Sequence, residues 1–382
     1  MAGSLPLDIL GGMDAETRFQ GLDDWQVVCR FLPAGWEQAA REQGALRRAR
    51  GISDAATLLR VLLVHLADGC SLQETAVRAQ EAGWCAVSSV SLFKRLQAAE
   101  QWLRWMAERL WRQRCDPALS RGYQVRAVDA TTVQEPGSTG TDWRVHYVIN
   151  LTNLQCDHFE LTDATGGESF RRIPVTPGDL MLGDRAYGTP LGAAHVVSAG
   201  ADVLVRVALH MMPLYDESGK KMVVLQRVRR LAAGSAREWP AWIQTRNQRI
   251  AGRLLAVKRG EQATQLAQKR IRRTAKRKQQ TVSQQALAAA AYVFVWTTVP
   301  AEAISAVEVL DWYRVRWQIE LAFKRMKSIM GLGHLPKWAE TSARAWMHGK
   351  LLIAMLVERL LDEADAVSPW GYRLDATPQP LA

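Results

Sequence analysis

The sequence predicts a mixed α/β protein with a helical amino-terminal region, and three observations lead there. Residues 12 to 118 contain few strand formers and set their apolar residues at helical spacing. At residue 123 the pattern changes to β-branched alternation in "YQVRAVDATTV", the period of a half-buried strand. Two more such segments follow, and then strand-like and helix-like stretches alternate, which describes a mixed sheet carrying helices.

Within the helical region, "SLQETAVRAQEAGWCAVSSVSLFKRLQAAEQWLRWM" reads as a helix starting at Ser71, a turn around Gly83 and a second helix from about Ser89. This separation suits a helix-turn-helix. The second helix offers Ser88, Ser89, Ser91, Lys94 and Arg95 to a DNA groove, because short hydroxyls and cations suit base and phosphate contacts. The same pair also reads as plain bundle packing. The strands "YQVRAVDATTV", "WRVHYVINLTN" and "CDHFELTDA" are separated by turn signals at Gly137/Gly140 and Asn153/Leu154. After Gly166/Gly167 a short helix or loop with Pro174 and Pro177 leads to the strand in "LMLGDRAYG", a helix over about 189–199 and the strand "ADVLVRVA".

Residues 209–290 read as an insertion, mostly β, that opens with "KKMVVLQRV" and "RIAGRLLAVKR" and passes through a basic helical stretch. The sheet pattern returns in "AYVFVWTT". One long helix containing Tyr313 follows from about Ala303, then a terminal amphipathic helix over about 340–364 and a loose Pro-containing tail. The expected domains are therefore 1–118, 119–208, 209–290, 291–335 and 336–382.

A chain of 382 residues has room for two or three domains and a sizeable core. Its formal charge is +11, and seven of the ten residues in "KRIRRTAKRK", Lys269 to Lys278, are basic. Such a surface attracts polyanions, nucleic acid first and anionic membrane second, although a basic run alone also reads as a solvated helix. Five cysteines without C-x-x-C spacing argue against a disulfide framework or a zinc site and fit a reducing cytoplasm. The apolar runs "LLRVLLVHLA" and "LLIAMLVERLL" are too short for a membrane span, and the first residues lack a basic region followed by an apolar one, so secretion is not expected. The seven histidines lack metal spacing and read as structural.

Turned through about 100° per residue, "YRVRWQIELAFKRMK" puts Tyr313, Arg316, Glu320 and Lys327 on one face with Lys324 at its border. Val315, Ile319, Ala322, Phe323, Met326 and Met330 form the stripe to be buried. Taken alone, Arg316 and Glu320 read equally as an exposed i,i+4 ion pair. Asp129 lies within or at the end of the first sheet strand and Asp184 at the end of the fourth. Singly, each reads as a strand-end turn residue. Together at the ends of neighbouring strands they would repel unless a proton or a metal neutralised them. With a Glu from a packing helix they make a hard-oxygen set suited to two Mg2+ or Mn2+ ions and to phosphoryl transfer.

Tyr313, Arg316, Glu320 and Lys327 match the Tyr-x2-Arg-x3-Glu-x6-Lys signature of DDE transposases of bacterial insertion sequences. "VRAVDATTV", "GTDWRVHYV" and "GGESFRRIPVTPGDLMLGDRAYG" resemble further blocks of that family in order, so the resemblance covers about residues 123 to 335. It implies an RNase H-like catalytic core interrupted by a mostly β insertion, which would bring Asp184 and Glu320 together across 136 positions. It implies Asp129, Asp184 and Glu320 as a metal-binding catalytic triad for two Mg2+ or Mn2+ ions. It further implies Tyr313, Arg316 and Lys327, with Lys324 beside them, on DNA phosphates, where guanidinium and ammonium groups suit phosphate oxygens. Some relatives stack a flipped base on an aromatic before this helix; Tyr292 is the nearest candidate by spacing and Trp296 the next. Lys269, Arg270, Arg272 and Arg273 are expected to follow the DNA backbone.

The expectation is a cytoplasmic transposase, a homodimer in its synaptic complex, acting on terminal inverted repeats and target double-stranded DNA by cut-and-paste. Two rivals remain at this level: a catalytically inactive transposase-derived DNA-binding regulator, and a nuclease that cuts without joining. A complete acidic set argues against the first.

Overall fold

The computed structural model describes residues 24–112, 120–336 and 339–367. The outer ends of the helical region expected over 12–118, and the expected tail beyond 367, lie outside the described residues. The chain divides into two compact units, one of residues 1–114, 135–137 and 326–382 and the other of residues 115–134 and 138–325.

The first unit is helical. Asp54 caps the helix Ala55–Ala67 by accepting from the Thr57 amide at 2.7 Å, Ser71 caps Leu72–Glu81 from the Glu74 amide at 3.0 Å, and Ser88 caps Ser89–Ala98 from the Ser91 amide at 3.2 Å. Each cap satisfies an amide that the first helical turn leaves without a partner. Between the last two helices Gly83 takes a φ of +68°, a reversal that glycine makes without steric penalty. The carboxyl-terminal helix Glu340–Val367 packs along Glu100–Arg112, and buried His348 Nδ1 meets Glu100 Oε1 at 2.9 Å. The expected border at 335 is thus corrected: the last helix joins the amino-terminal helices because its apolar stripe needs their apolar stripe as a partner.

The second unit is built on an eight-stranded mixed sheet of order β3-β2-β1-β4-β5-β10-β9-β6. Its strands are β1 (Gln124–Val133), β2 (Trp143–Asn150), β3 (Cys156–Asp163), β4 (Asp179–Gly183), β5 (Asp202–Arg206), β6 (Ala236–Pro240), β9 (Arg253–Lys258) and β10 (Tyr292–Thr297). A separate two-stranded ribbon pairs β7 (Ile243–Gln244) with β8 (Arg249–Ile250). β1, β2 and β3 are antiparallel neighbours; β4 and β5 join parallel to β1, and β10, β9 and β6 continue antiparallel.

Alternation along each strand separates two faces. One carries Val128, Val148, Met181, Val203, Val205, Leu254, Phe294 and Trp296 into a shared core with Phe170 and Tyr187. On the other, Tyr147 meets Phe323 of the helix Trp317–Ser328 with ring centroids 5.9 Å apart.

Three expectations change. Residues 209–290 are not a separate, mostly β insertion: β6 and β9 extend the main sheet, and Met212, Leu214, Met222, Val224, Val228, Ala241, Ile243 and Ile250 join its core. The longest element of this segment is the helix Glu261–Arg277, and "KKMVVLQRV" contains the short helix Val224–Val228 where strand was expected. The helix expected from about Ala303 is two, Ala306–Val315 and Trp317–Ser328, interrupted at Arg316. The first begins with a reciprocal capping box between Ser305 and Glu308. Ile319 and Phe323 of the apolar stripe are buried, but Val315 at the interruption is 39% exposed.

Arg126 locks three strands. Its side chain, 6% exposed, pairs with Asp157 of β3 and, at 2.7 Å, with the 1%-exposed carboxylate of Asp179 in β4. Arg126→Met is expected to destabilise the protein by about 3–5 kcal/mol in denaturant unfolding, because it leaves buried Asp179 without its counter-charge.

Candidate catalytic site

Strand register assembles the acidic pair. β1 runs parallel to β4 with Ala127 opposite Leu182, and two residues further the same offset sets Asp129 opposite Asp184. Side chains two apart share a face, so both aspartates belong to the face of Ala127, Leu182 and Tyr147, where the Trp317–Ser328 helix packs. Asp129 is not at the strand end but inside β1, and Asp184 follows the last residue of β4. Each is held by its own local backbone: Asp129 Oδ1 accepts from the Ala130 amide at 2.8 Å, and Asp184 Oδ1 from the Ala186 amide at 2.7 Å.

The helix supplies the opposite charge. Arg316, its side chain 12% exposed, places Nη1 3.6 Å from Asp129 Oδ2 and donates from Nη2 to Glu320 Oε1 at 2.5 Å. Its guanidinium also lies 5.7 Å from the centre of the Tyr313 ring. Burial works against the charge on Arg316, yet Tyr313, Glu320 and Asp129 outweigh it and raise the pKa. Tyr313 is itself pushed up, mainly by burial, while the charges of Arg316 and Arg206 pull the other way. Burial, reinforced by the nearby charge of Asp184, pushes Asp129 up to about 6.

Among the described residues no group of three His, Cys, Asp or Glu side chains stands ready to hold a metal ion. The donor set nevertheless suits one. Asp129 and Asp184 are neighbouring hard-oxygen groups whose like charges repel, a repulsion that a divalent cation would relieve. Glu320 differs: its carboxylate is 58% exposed and bound to Arg316, so it stands across the guanidinium from Asp129.

The remaining sequence candidates divide. Lys324 and Lys327 lie exposed on the same helix as Glu320, and Lys269, Arg270, Arg272 and Arg273 are exposed along Glu261–Arg277. Lys94 is exposed on Ser89–Ala98, whereas Arg95 Nη2 donates to the carbonyls of Arg48 and Arg50 at 2.6 and 3.1 Å and braces that segment. Trp296 is corrected as a base-stacking candidate: it is fully buried and its Nε1 donates to the Ala241 carbonyl at 3.0 Å. Tyr292 is 8% exposed, belongs to the core cluster and stacks one ring face on Phe294. The sequence reading missed Arg206, which ends β5 on the face of the acidic pair; one arginine closing an apolar strand signals nothing until the pairing is known.

Comparison with known proteins identifies the family. Residues 120–356 match the family described as Transposase DDE domain. The chain is 32% identical over 348 residues to the InsL protein of insertion sequence element IS186A from Escherichia coli (strain K12), covering 89% of this chain and 94% of that one. The transposase for insertion sequence element IS421 of Escherichia coli is also 32% identical, over 349 residues and the same shares. The transposase for IS231B of Bacillus thuringiensis subsp. berliner is 24% identical over 370 residues, 86% of this chain and 77% of that one. In fold alone, the chain is similar to a solved piggyBac transposase synaptic complex with hairpin DNA, with a TM-score of 0.50 at 8% identity, covering 94% of this chain and 78% of that chain.

The raised pKa of Asp129 has a measurable sign. Its ionised form destabilises the folded protein; the penalty is absent below the ordinary 3.8, grows through the interval up to about 6 and is complete above it. Asp129→Asn is therefore expected to stabilise the metal-free protein at pH 8 by on the order of 2 kcal/mol and to have little such effect near pH 4. Thermal melts at the two pH values check it.

Proposed function

The chain belongs to the DDE transposases of bacterial insertion sequences, and from that premise we propose that it binds the terminal inverted repeats of its element and catalyses metal-dependent DNA cleavage and strand transfer. One observation carries the reading: Asp129 of β1 and Asp184, just past the end of the parallel neighbour β4, lie near enough for their charges to interact, and Arg316 links Asp129 to Glu320. The strand order β3-β2-β1-β4-β5, with β1, β4 and β5 parallel, supports an RNase H-like core.

Asp129, Asp184 and Glu320 are the residues that would hold two Mg2+ or Mn2+ ions. When bound, such ions supply Lewis-acid stabilisation of the phosphoryl group and activation of water or a sugar hydroxyl. The protein's own part is charge placement. Arg316 and Tyr313, with Lys324 and Lys327 further along, present donors to phosphates beside the cut. A phosphate competing for the Arg316 guanidinium would release Glu320 to join the aspartates, so DNA binding and completion of the acidic set are coupled. Lys94 and the exposed basic residues from Lys269 to Arg273 add backbone contacts. The working complex is read as a homodimer on two element ends in the cytoplasm. No helix among the described residues is long and apolar enough to cross a membrane.

Incubating the protein with labelled end DNA, a target plasmid and Mg2+ tests the proposal. Cleavage with joined product is expected; binding alone would identify an inactive regulator, and cutting without joining a nuclease. Glu320→Gln is expected to lower cleavage by at least about 100-fold while changing end binding less than threefold, as the loss of a charge-stabilising group at a reacting phosphate commonly costs that much. Cutting retained by this variant would refute its assigned role.

A further inference from the structure

A third carboxylate lies beside the aspartate pair, and it is not Glu320. Glu168 sits in the segment between β3 and the helical turn Phe170–Arg172, and its charge acts on both Asp184 and Asp129. Side chains on either side pin this segment. Asp163 Oδ1 accepts from the Thr165 amide at 2.9 Å, Arg144 of β2 donates from Nη1 to the Gly166 carbonyl, and Arg172 Nε donates to the Gly167 carbonyl at 2.9 Å. Gly166 approaches β3 so closely that a Cβ there would stand 2.2 Å from Thr162 Oγ1, a gap that only glycine fits. The backbone that carries Glu168 is therefore held by β2, β3 and the turn that follows it.

Phe170 draws the segment to the acidic pair. Its ring meets Tyr187 with centroids 5.2 Å apart, and both residues press on Gly183, where a Cβ would stand 2.6 Å from Tyr187 Cβ and 2.9 Å from Phe170 Cζ. Gly183 directly precedes Asp184. Phe170 and Tyr187 belong to the core on the face opposite the helix Trp317–Ser328, so Glu168 and Glu320 come to the pair from elements on opposite faces. Tyr187 is 1% exposed, and its hydroxyl is buried without a hydrogen-bond partner. After burial, the charges of Glu168, Asp129 and Asp184 are what act on that hydroxyl most. A buried donor left over among three carboxylates is costly, and a bound water would satisfy it. Counter-charge is scarce here, because Arg144 Nε stands 3.7 Å from Glu168 Oε1, beyond hydrogen-bond length.

We propose that Glu168 and the Tyr187 hydroxyl hold the water shell of a divalent cation seated on Asp129 and Asp184, so that the DNA-free protein takes a cation before Arg316 releases Glu320. A place outside the direct ligand set agrees with the absence, among the described residues, of three carboxylates grouped for direct coordination. Small hard cations keep several of their waters, and carboxylates that accept from those waters orient them and strengthen binding. The inference rests on the metal-dependent reading of the aspartate pair and adds Glu168 to it as a positioning residue, acting through water.

Titration of Mn2+ into the DNA-free protein, followed by loss of the free-ion electron paramagnetic resonance signal, tests this without requiring cleavage. Glu168→Gln is expected to weaken Mn2+ binding by about tenfold, as the loss of an outer-shell carboxylate commonly does. Tyr187→Phe should weaken it by about threefold, the loss of one hydrogen bond to a bound water. Glu320→Gln should leave it unchanged. Melting in the presence of a chelator separates this role from a structural one: Glu168→Gln should melt no lower than the wild type, because burial and Asp184 both disfavour the charge removed. Lower melting with unchanged Mn2+ affinity would reduce Glu168 to a counter-ion of Arg144 and overturn the proposal. Affinity that falls with Glu320→Gln and ignores Glu168 and Tyr187 would overturn it too. Should Glu168→Gln fail to fold, Tyr187→Phe decides, and unchanged affinity in that variant sinks the idea. Absence of Mn2+ binding by the free wild-type protein would likewise overturn it, whereas cutting and joining of end DNA in chelator would instead refute the metal-dependent reading itself.

Discussion

The parallel pairing of β1 with β4, and of β4 with β5, is the constraint on which the rest of the second unit depends. Parallel neighbours keep a constant offset, and residues two apart return to the same face. A register shift of one residue would send Asp129 into the core of Val128, Met181 and Trp296, and would separate it from Asp184. The buried Arg126 ion pairs to β3 and β4 oppose such a slip, since they too are satisfied in a single register. The residues that stabilise the sheet and those assigned to chemistry thus alternate along one strand and are fixed by the same pairing.

Charge balance at the site is held by one side chain. Arg316 stands at the interruption between two helices, where it reaches Asp129 across the sheet and Glu320 one turn onward. Burial raises the Asp129 pKa, and the charge of Asp184 nearby adds to that rise. A partly buried guanidinium stands between Asp129 and the solvent-facing glutamate and offsets part of that charge. It also makes the arrangement sensitive to any ligand that attracts the arginine more strongly, as a phosphate does.

The segment between β5 and β10 contributes to both faces of this design. Its apolar residues complete the core under the sheet, and its basic helix extends the surface along which a polyanion is expected to lie. Because β6 and β9 are hydrogen-bonded into the sheet, Arg259 at the end of β9 has a position fixed by the strands that carry Asp184 and Arg206. Cations on a free-standing domain would lack that fixed relation to the carboxylates.

The sequence by itself determined the elements and the chemistry available to them. β-branched alternation and short apolar runs between turn signals located β1, β2, β3, β4, β5 and β10, and helical periodicity put Arg316 and Glu320 together, because these signals are local and follow from backbone geometry. Strand pairing decided what the sequence could not. Trp296 reads as well for a stacking platform as for a core residue until the pairing of β10 with β5 and β9 shows which side it faces. Arg206 reads as an ordinary strand end until the offset from β4 sets it beside Asp184. The insertion looks separate until β6 and β9 are seen to pair with the sheet. Periodicity reports which residues of one element share a face; which neighbour that face meets depends on contacts between distant segments, and only the folded chain makes those.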